Sequence, residues 1–333
     1  MSPHDHASHR HGHAHRHGTV DPALVADSSS DGIRAVQWSL VLLGATAAIQ
    51  MAIVLLSGSV ALLADTVHNV GDALTAVPLW VAFSLSRRPP TKVFTYGLGR
   101  VEDLAGVAVV LTILLSAVYA AYESVDRLIH PRPVSHVLVV ALAGTVGFAG
   151  NEAVAILRTR VGRRIGSAAL VADGYHARTD GFASLAVLVG AIGVWLGFAL
   201  ADPLIGLAIS AAIFRIVWQS ARSVLTRAID GVEPGVVDEL RHAAMHSPGV
   251  CDVTDTRVRW IGHVMYAELN VSVDPELSAA EGHDVAVEVR HQLLHHLNYL
   301  DDATVHVDPA TASGQRHHAI AAHEHEGLPL HTH

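Results

Sequence analysis

The sequence predicts a helical membrane domain of six spans followed by a small α+β domain. Of the 333 residues 50% are hydrophobic and only 16% are charged, with a mean hydropathy of +0.36. These values are too apolar for an ordinary soluble protein. The stretches 35–64 and 104–122 contain no charged side chain, and each is long enough to cross a bilayer. Beyond about residue 229 the composition becomes that of a soluble domain.

The apolar runs predict spans at approximately 36–57, 60–84, 103–124, 136–157, 167–198 and 204–221. The loops after the second and fourth spans hold eight basic residues: Arg87, Arg88, Lys92, Arg100, Arg158, Arg160, Arg163 and Arg164. The alternate loops hold only Arg127 and Arg132. Because basic loops are retained in the cytoplasm, the sequence predicts a multi-pass membrane protein with both termini cytoplasmic. The chain is almost free of lysine and rich in Arg, Ala and Val, a composition typical of a bacterium with a GC-rich genome, so the expected location is the inner (cytoplasmic) cell membrane.

The C-terminal region has the element order α-β-β-α-β. Periodicity and turn residues predict a helix over 236–246, strands over 250–260 and 264–273 joined at Gly262, a helix from the Ser278–Glu281 capping box to about 297, and a strand over 303–308. Such a domain packs two helices on one face of a three-stranded sheet, in the ferredoxin-like manner of metallochaperones.

The predicted domains are a disordered histidine-rich tail over 1–32, a transmembrane domain over 33–228, a cytoplasmic domain over 229–312 and a second histidine-rich tail over 313–333. The front tail has seven histidines between His4 and His17, enough imidazoles for weak metal binding. These tails either collect metal, are dispensable, or are a purification tag, and the interleaved Arg, Gly and Ala argue against the tag. The single cysteine, Cys251, excludes an intrachain disulfide and a thiol-rich metal site. The chain has no basic patch with interleaved aromatic residues, so nucleic-acid binding is not expected.

One phrase occurs twice inside the predicted spans. The pattern A-L-x-A-D-x-x-H-x-x-x-D covers residues 61–72 in the second span and 169–180 in the fifth. Residues four apart lie on one face of a helix, so facing copies would offer two imidazoles and two carboxylates from His68, Asp72, His176 and Asp180. That is the ligand set of a tetrahedral Zn²⁺ site. The two spans run in opposite directions, as in the inverted repeats of transporters.

Asp65 and Asp173 precede the two histidines by three residues on the same helix face. They are candidates for partners that orient the imidazoles, for additional ligands or for proton relays. The alternative is that each caps the start of a helix near the membrane surface.

With these motifs the chain resembles the cation diffusion facilitator family, the divalent-metal/proton antiporters, from about residue 33 to 310. The matching segments are HNVGD (68–72), HARTD (176–180), YGLGRVEDL (96–104), GNEAVAIL (150–157) and VHVDP (305–309). The resemblance implies that the two His-x-x-x-Asp motifs form the transport site. It also implies zinc as the metal, because the second span carries His.

In the predicted cytoplasmic domain, His306 and Asp308 share a face of a strand. The resemblance places a further ligand at His283, and His263 lies at the turn between the strands. These four residues are candidates for a regulatory Zn²⁺ site, with surface histidines as the alternative. The resemblance also implies a charge interlock of Arg100 with Asp230 at the membrane surface, whereas the alternative is that these charges reach the lipid headgroups.

Two departures from the family pattern limit the metal sites. Phe94 and Leu98 stand where some bacterial relatives carry histidines of a second site, which is therefore not expected here. Thr254 and Asn270 stand where some relatives have histidine in the cytoplasmic domain, so a two-metal cluster is not expected.

The sequence thus predicts a Zn²⁺/H⁺ antiporter that exports metal from the cytoplasm, and the resemblance implies a homodimer held together by the cytoplasmic domain. Its predicted partners are Zn²⁺, protons and the lipid bilayer. An enzyme is not expected, because the chain has no HExxH and four protein ligands leave no open coordination position. The alternatives are a membrane metal sensor without transport and an antiporter that prefers Cd²⁺, Co²⁺ or Ni²⁺.

Overall fold

The computed structural model describes residues 22–57, 76–130, 137–198 and 201–314. Within these ranges the membrane part comprises α1 (Pro22–Ser57), α2 (Ala76–Ser86), α3 (Arg100–Ile129), α4 (Val137–Ile165), α5 (Ala168–Trp195) and α6 (Ala201–Ala228). In this part of the chain four helices, α1, α3, α4 and α6, are long and apolar enough to cross a membrane. The predicted helical membrane region is confirmed. The count of six spans stays a prediction, because most of the second span lies outside the described residues and α5, the predicted fifth span, is not among these four helices.

The first helix begins earlier than the sequence indicated. α1 starts at Pro22, so residues 22–32 are helical and do not belong to the predicted tail. Proline is favoured at the first helical position because its missing N–H needs no partner there. The early turns also have partners, since Ser29 lies 3.2 Å from Ser86 of α2 and Arg164 donates to Asp31 at 2.9 Å.

The C-terminal domain has the predicted element order. It comprises α7 (Pro234–Met245), β1 (Asp252–Ile261), β2 (Val264–Val273), α8 (Ala279–His296), β3 (Leu300–Pro309) and a short 3₁₀ turn (Ala310–Ala312). The strand order is β1-β2-β3, with β1 and β2 antiparallel and β2 and β3 parallel. α8 makes the crossover that a parallel pair requires. Apolar residues from both helices and all three strands form one core, so the α+β arrangement is confirmed.

Local chemistry explains where the elements of this domain begin and turn. The hydroxyl of Ser278 accepts a hydrogen bond from the backbone N–H of Glu281, whose carboxylate accepts from the N–H of Ser278. This reciprocal capping box satisfies two N–H groups at the start of α8 and lowers the pKa of Glu281. The β1–β2 hairpin turns at Gly262, whose φ of +66° falls in the left-handed region.

The turn of this hairpin is buried against the membrane helices. Nδ1 of His263 lies 2.6 Å from Oε2 of Glu102 on α3, and its Nε2 lies 2.8 Å from Oγ of Ser28 on α1. The backbone N–H of Gly262 donates to Asp103 at 3.2 Å. Both His263 and Glu102 are fully buried. The C-terminal domain is therefore anchored to the first turn of α3 by polar contacts that neither part could satisfy alone.

A second anchor involves Arg227 near the end of α6. Its guanidinium lies 3.8 Å from the ring centroid of Trp260 on β1 and donates to the carbonyl of Gly166 at 2.6 Å. A cation stacked on a partly desolvated indole contributes about 1 kcal/mol. The sheet thus contacts α3, α6 and the α4–α5 connection at once.

We predict that Glu102→Ala will loosen the C-terminal domain. The substitution leaves Nδ1 of buried His263 without its acceptor, which costs about 1–3 kcal/mol. The expected results are a lower unfolding midpoint in detergent and faster protease cleavage of the 229–233 linker. Glu268→Ala is the matched control, because Glu268 pairs with Arg259 at 3.2 Å on the exposed side of the same sheet, where ion pairs contribute little. Equal shifts in the two variants would contradict the prediction.

Candidate functional site

α5 carries one copy of the repeated phrase. Nδ1 of His176 lies 3.7 Å from Oδ2 of Asp180, four residues further along the helix. His176 is buried, and the Asp180 side chain is 11% exposed. His176 lies eight residues after Ala168, about 12 Å along the helix axis from the end that faces the C-terminal domain. An imidazole nitrogen and a carboxylate oxygen are thus held side by side within the predicted fifth span.

The other copy lies outside the described residues. His68 and Asp72, with Asp65, fall in the segment 58–75. The four-ligand arrangement across the two spans therefore stays a prediction.

Asp173 is engaged by an arginine from the neighbouring helix. Nη1 of Arg158 on α4 lies 2.9 Å from Oδ2 of Asp173, and both side chains are buried. Asp173 therefore does not cap the start of α5 at the membrane surface, as one of the alternatives had it. The sequence analysis missed Arg158 because it assigned this residue to a loop. Arg160, Arg163 and Arg164 lie in α4 as well, and the orientation stays a prediction.

Two glycines bring α4 and α5 close enough for this pair to form. A Cβ at Gly174 would lie 2.9 Å from the backbone nitrogen of Thr159, and one at Gly162 would lie 2.9 Å from that of Val171. Small residues let membrane helices approach until their backbones touch. The α4–α5 connection turns at Gly166, with φ of +76°.

A second ion pair joins the same two helices. Arg178 donates to both carboxylate oxygens of Glu152, at 3.1 and 2.6 Å. Unlike Arg158 and Asp173, these side chains are 27% exposed. The sequence analysis did not single out this pair. A signal was present, because Glu152 and Arg178 are opposite charges within the predicted fourth and fifth spans, where unpaired charge is costly.

Arg100 and Asp230 form an ion pair between the start of α3 and the segment after α6. Arg100 also donates to the carbonyl of Arg227 at 3.3 Å and lies 3.5 Å from Asp103. The two residues predicted to form a charge interlock are thus in contact, and their role as an interlock stays a prediction.

In the C-terminal domain, three of the four candidate ligands lie at one end of the sheet. Nε2 of His306 lies 2.9 Å from Oδ1 of Asp308 on β3. His283, an exposed residue of α8, lines the same groove as Asp308. No group of three His, Cys, Asp or Glu side chains among the described residues is arranged to hold a metal ion.

His263 is separated from that cluster, contrary to the expectation that it joins them. His306 is paired in register with Asn270, seven residues along the chain from His263. At about 3.3 Å per residue this distance exceeds 20 Å. The hairpin turn carries His263 to Glu102 instead, a partner that local sequence could not indicate.

Comparison with known proteins gives the family of both parts of the chain. Residues 36–227 match the cation efflux transmembrane domain, and residues 232–310 match the cytoplasmic domain of cation efflux proteins. The chain belongs to the cation diffusion facilitator family. Its members are transporters rather than enzymes, and this protein is accordingly a multi-pass cation efflux transporter for divalent metals.

Relatives from several organisms share most of the length of this cation diffusion facilitator. The "Probable cation efflux system protein" of Mycobacterium tuberculosis is 55% identical over 292 residues, which cover 88% of this chain and 87% of that protein. Magnetosome protein MamB of Paramagnetospirillum magneticum is 27% identical over 79% of this chain and 89% of that protein. Among solved structures, the cadmium form of a MamM CTD variant covers 23% of this chain and 95% of its own, with 25% identity and a TM-score of 0.23.

We predict that Gly174→Ala will impair this transporter. The new methyl group would meet the backbone of Thr159, which cannot yield without separating α4 from α5. Overpacking of this kind costs about 1–3 kcal/mol, so the unfolding midpoint in detergent and the metal uptake should both fall. Gly44→Ala is the matched control, since a Cβ at Gly44 in α1 meets nothing within 4 Å. A midpoint unchanged by Gly174→Ala would contradict the close approach.

Proposed function

We propose that this protein exports Zn²⁺ from the cytoplasm across the cell membrane in exchange for protons. The observation that carries the proposal is the His176–Asp180 pair, buried within α5 at 3.7 Å, together with its sequence copy at His68 and Asp72. Ionisable residues in a membrane span are retained at a cost and are normally there for function.

The donor set favours zinc. Imidazole nitrogen and carboxylate oxygen are ordinary Zn²⁺ ligands, and two of each complete a tetrahedral shell. Mg²⁺ and Ca²⁺ prefer shells of oxygen alone with six or more ligands. The two carboxylates also balance the charge of one divalent ion, which lowers the cost of holding that ion away from water.

Proton exchange follows from the same ligands. Metal binds only to neutral histidine and ionised aspartate, so metal and protons compete for the site. The usual pKa of histidine lies near 6.5, which suits proton uptake on one side and release on the other. Alternating exposure of the site to the two sides of the membrane would then couple metal export to proton entry.

The C-terminal domain supplies dimerisation and metal sensing in this proposal. The match to the cytoplasmic domain of cation efflux proteins supports a cytoplasmic location and a homodimer. His283, His306 and Asp308 are the proposed ligands for a regulatory Zn²⁺ ion. The excess of basic residues after the second and fourth predicted spans supports cytoplasmic termini.

Replacing Asp180 tests the transport site. Asp180→Asn removes the charge and one ligand oxygen while keeping the shape of the side chain, so Zn²⁺ uptake into proteoliposomes under a pH gradient should fall at least about a hundredfold. Asp126→Asn is the control, because Asp126 lies near the end of α3 and contacts His130 at 3.2 Å. Full uptake by folded Asp180→Asn would overturn the site.

The same assay separates the alternative functions. A sensor without transport gives no metal flux in the wild-type protein. An antiporter that prefers Cd²⁺, Co²⁺ or Ni²⁺ gives a higher kcat/KM for that ion than for Zn²⁺. Collapse of the pH gradient should abolish uptake if protons are the counter-ion.

Zinc binding by the C-terminal domain is a separate prediction. We expect His283→Ala/His306→Ala to reduce, and not abolish, the rise in unfolding midpoint that Zn²⁺ gives a protein shortened to residues 22–314. An ion bound to the folded state stabilises it, and the proposed transport site binds Zn²⁺ in the same protein. His291→Ala/His296→Ala is the control, with two exposed histidines removed from the same helix, α8. The shortened chain omits the histidine-rich tails, which would bind metal by themselves. An equal response of both double variants would mean that His283 and His306 are ordinary surface residues.

A further inference from the structure

A buried ion pair lies one helical turn from the proposed transport site. Arg158 is 1% exposed and Asp173 is 0% exposed, with Nη1 and Oδ2 at 2.9 Å. Ordering such a pair away from water is expensive, and hydrophobic residues of similar size often serve stability equally well. Its position beside a cation site therefore suggests a role beyond holding helices together.

Asp173 is placed where it could otherwise serve the site. It precedes His176 by three residues on α5, about 4.5 Å along the axis and on the same face. A carboxylate one helical turn from His176 on the same face is a candidate further ligand for an ion held by His176 and Asp180. Asp173 instead forms an ion pair with Arg158 of α4.

We infer that Arg158 determines metal specificity by withholding the carboxylate of Asp173 from the transport site. The inference rests on the proposed site at His176 and Asp180. With Asp173 neutralised, α5 offers one nitrogen and one carboxylate to the metal. With Asp173 released, α5 offers a second carboxylate, which adds oxygen ligands and one negative charge. Such a site accepts harder ions with higher coordination numbers, such as Mn²⁺.

Helix packing alone does not explain the pair. α4 and α5 are already joined by the backbone approach at Gly162 and Gly174 and by the two-pronged Glu152–Arg178 pair. The same approach holds Arg158 in place, since a Cβ at Gly174 would lie 3.1 Å from that of Arg158. The arginine is thus fixed beside Asp173 by the backbone and is not held there by the ion pair alone.

The test compares Zn²⁺ and Mn²⁺ uptake by the full-length protein in proteoliposomes, with kcat and KM measured for each ion. Arg158→Gln should raise the Mn²⁺ to Zn²⁺ ratio of kcat/KM by about tenfold or more, because an added carboxylate favours the harder ion. Arg158→Gln/Asp173→Asn should restore the wild-type ratio, because the amides replace the pair without charge. The control Glu152→Gln/Arg178→Gln, on the same two helices, should lower stability and leave the ratio unchanged.

Asp173→Asn supplies an independent readout if Arg158→Gln does not fold. It leaves the arginine charge unpaired beside the site, so KM for Zn²⁺ should rise by about tenfold through repulsion, with the metal ranking intact. A wild-type ratio in folded Arg158→Gln, an Mn²⁺-shifted ratio in the double variant or a wild-type KM in Asp173→Asn would each overturn the inference.

Asp180→Asn in the same assay separates the two levels of the proposal. Loss of uptake of both ions by Asp180→Asn, together with an unchanged ratio in Arg158→Gln, would refute the specificity role alone. Retained uptake by Asp180→Asn would refute the proposed site and the inference with it.

Discussion

The cost of charge in a lipid-spanning helix is the constraint on which the arrangement of α4 and α5 depends. Each ionisable side chain there must be paired, hydrogen-bonded or reserved for a ligand. Arg158 and Asp173 satisfy this by pairing in full burial, and Glu152 and Arg178 by pairing at a partly exposed position. Both pairs require the helices to be close, and glycine provides that closeness. The backbone approach therefore comes first, and the electrostatics of the site follow from it.

Buried charge is paired in the same way at the junction between the membrane helices and the C-terminal domain. Glu102 is a carboxylate buried in the first turn of α3, and its partner His263 comes from the hairpin turn. Arg227 of α6 is likewise matched to Trp260 on β1. Because these contacts join α3 and α6 to one sheet, a change in the position of the sheet would be transmitted to both helices. Metal bound by the cytoplasmic domain would have a direct physical route to the membrane helices.

Features encoded over short distances were predictable from the sequence. The capping box at Ser278, the turn at Gly262 and the order of strands and helices around them depend on neighbouring residues, and the structure agrees with them. Partners brought together by packing were not predictable. Arg158 reads as a loop residue until the approach of α4 and α5 buries it. In the sequence His263 is a candidate metal ligand, but the fold places it against the carboxylate of Glu102, 161 residues earlier in the chain.

Two aspartates on α5 show how environment divides roles among identical side chains. Asp173 and Asp180 flank His176 on one helix, and each lies about one turn from it. Asp173 is fully buried and faces a fixed guanidinium, so its negative charge is compensated by the protein. Asp180 retains some exposure and lies beside an imidazole that is neutral when a metal binds. In the proposed site Asp180 is therefore the aspartate of α5 that would bind the cation, while the first aspartate of the motif is paired with an arginine of the neighbouring helix.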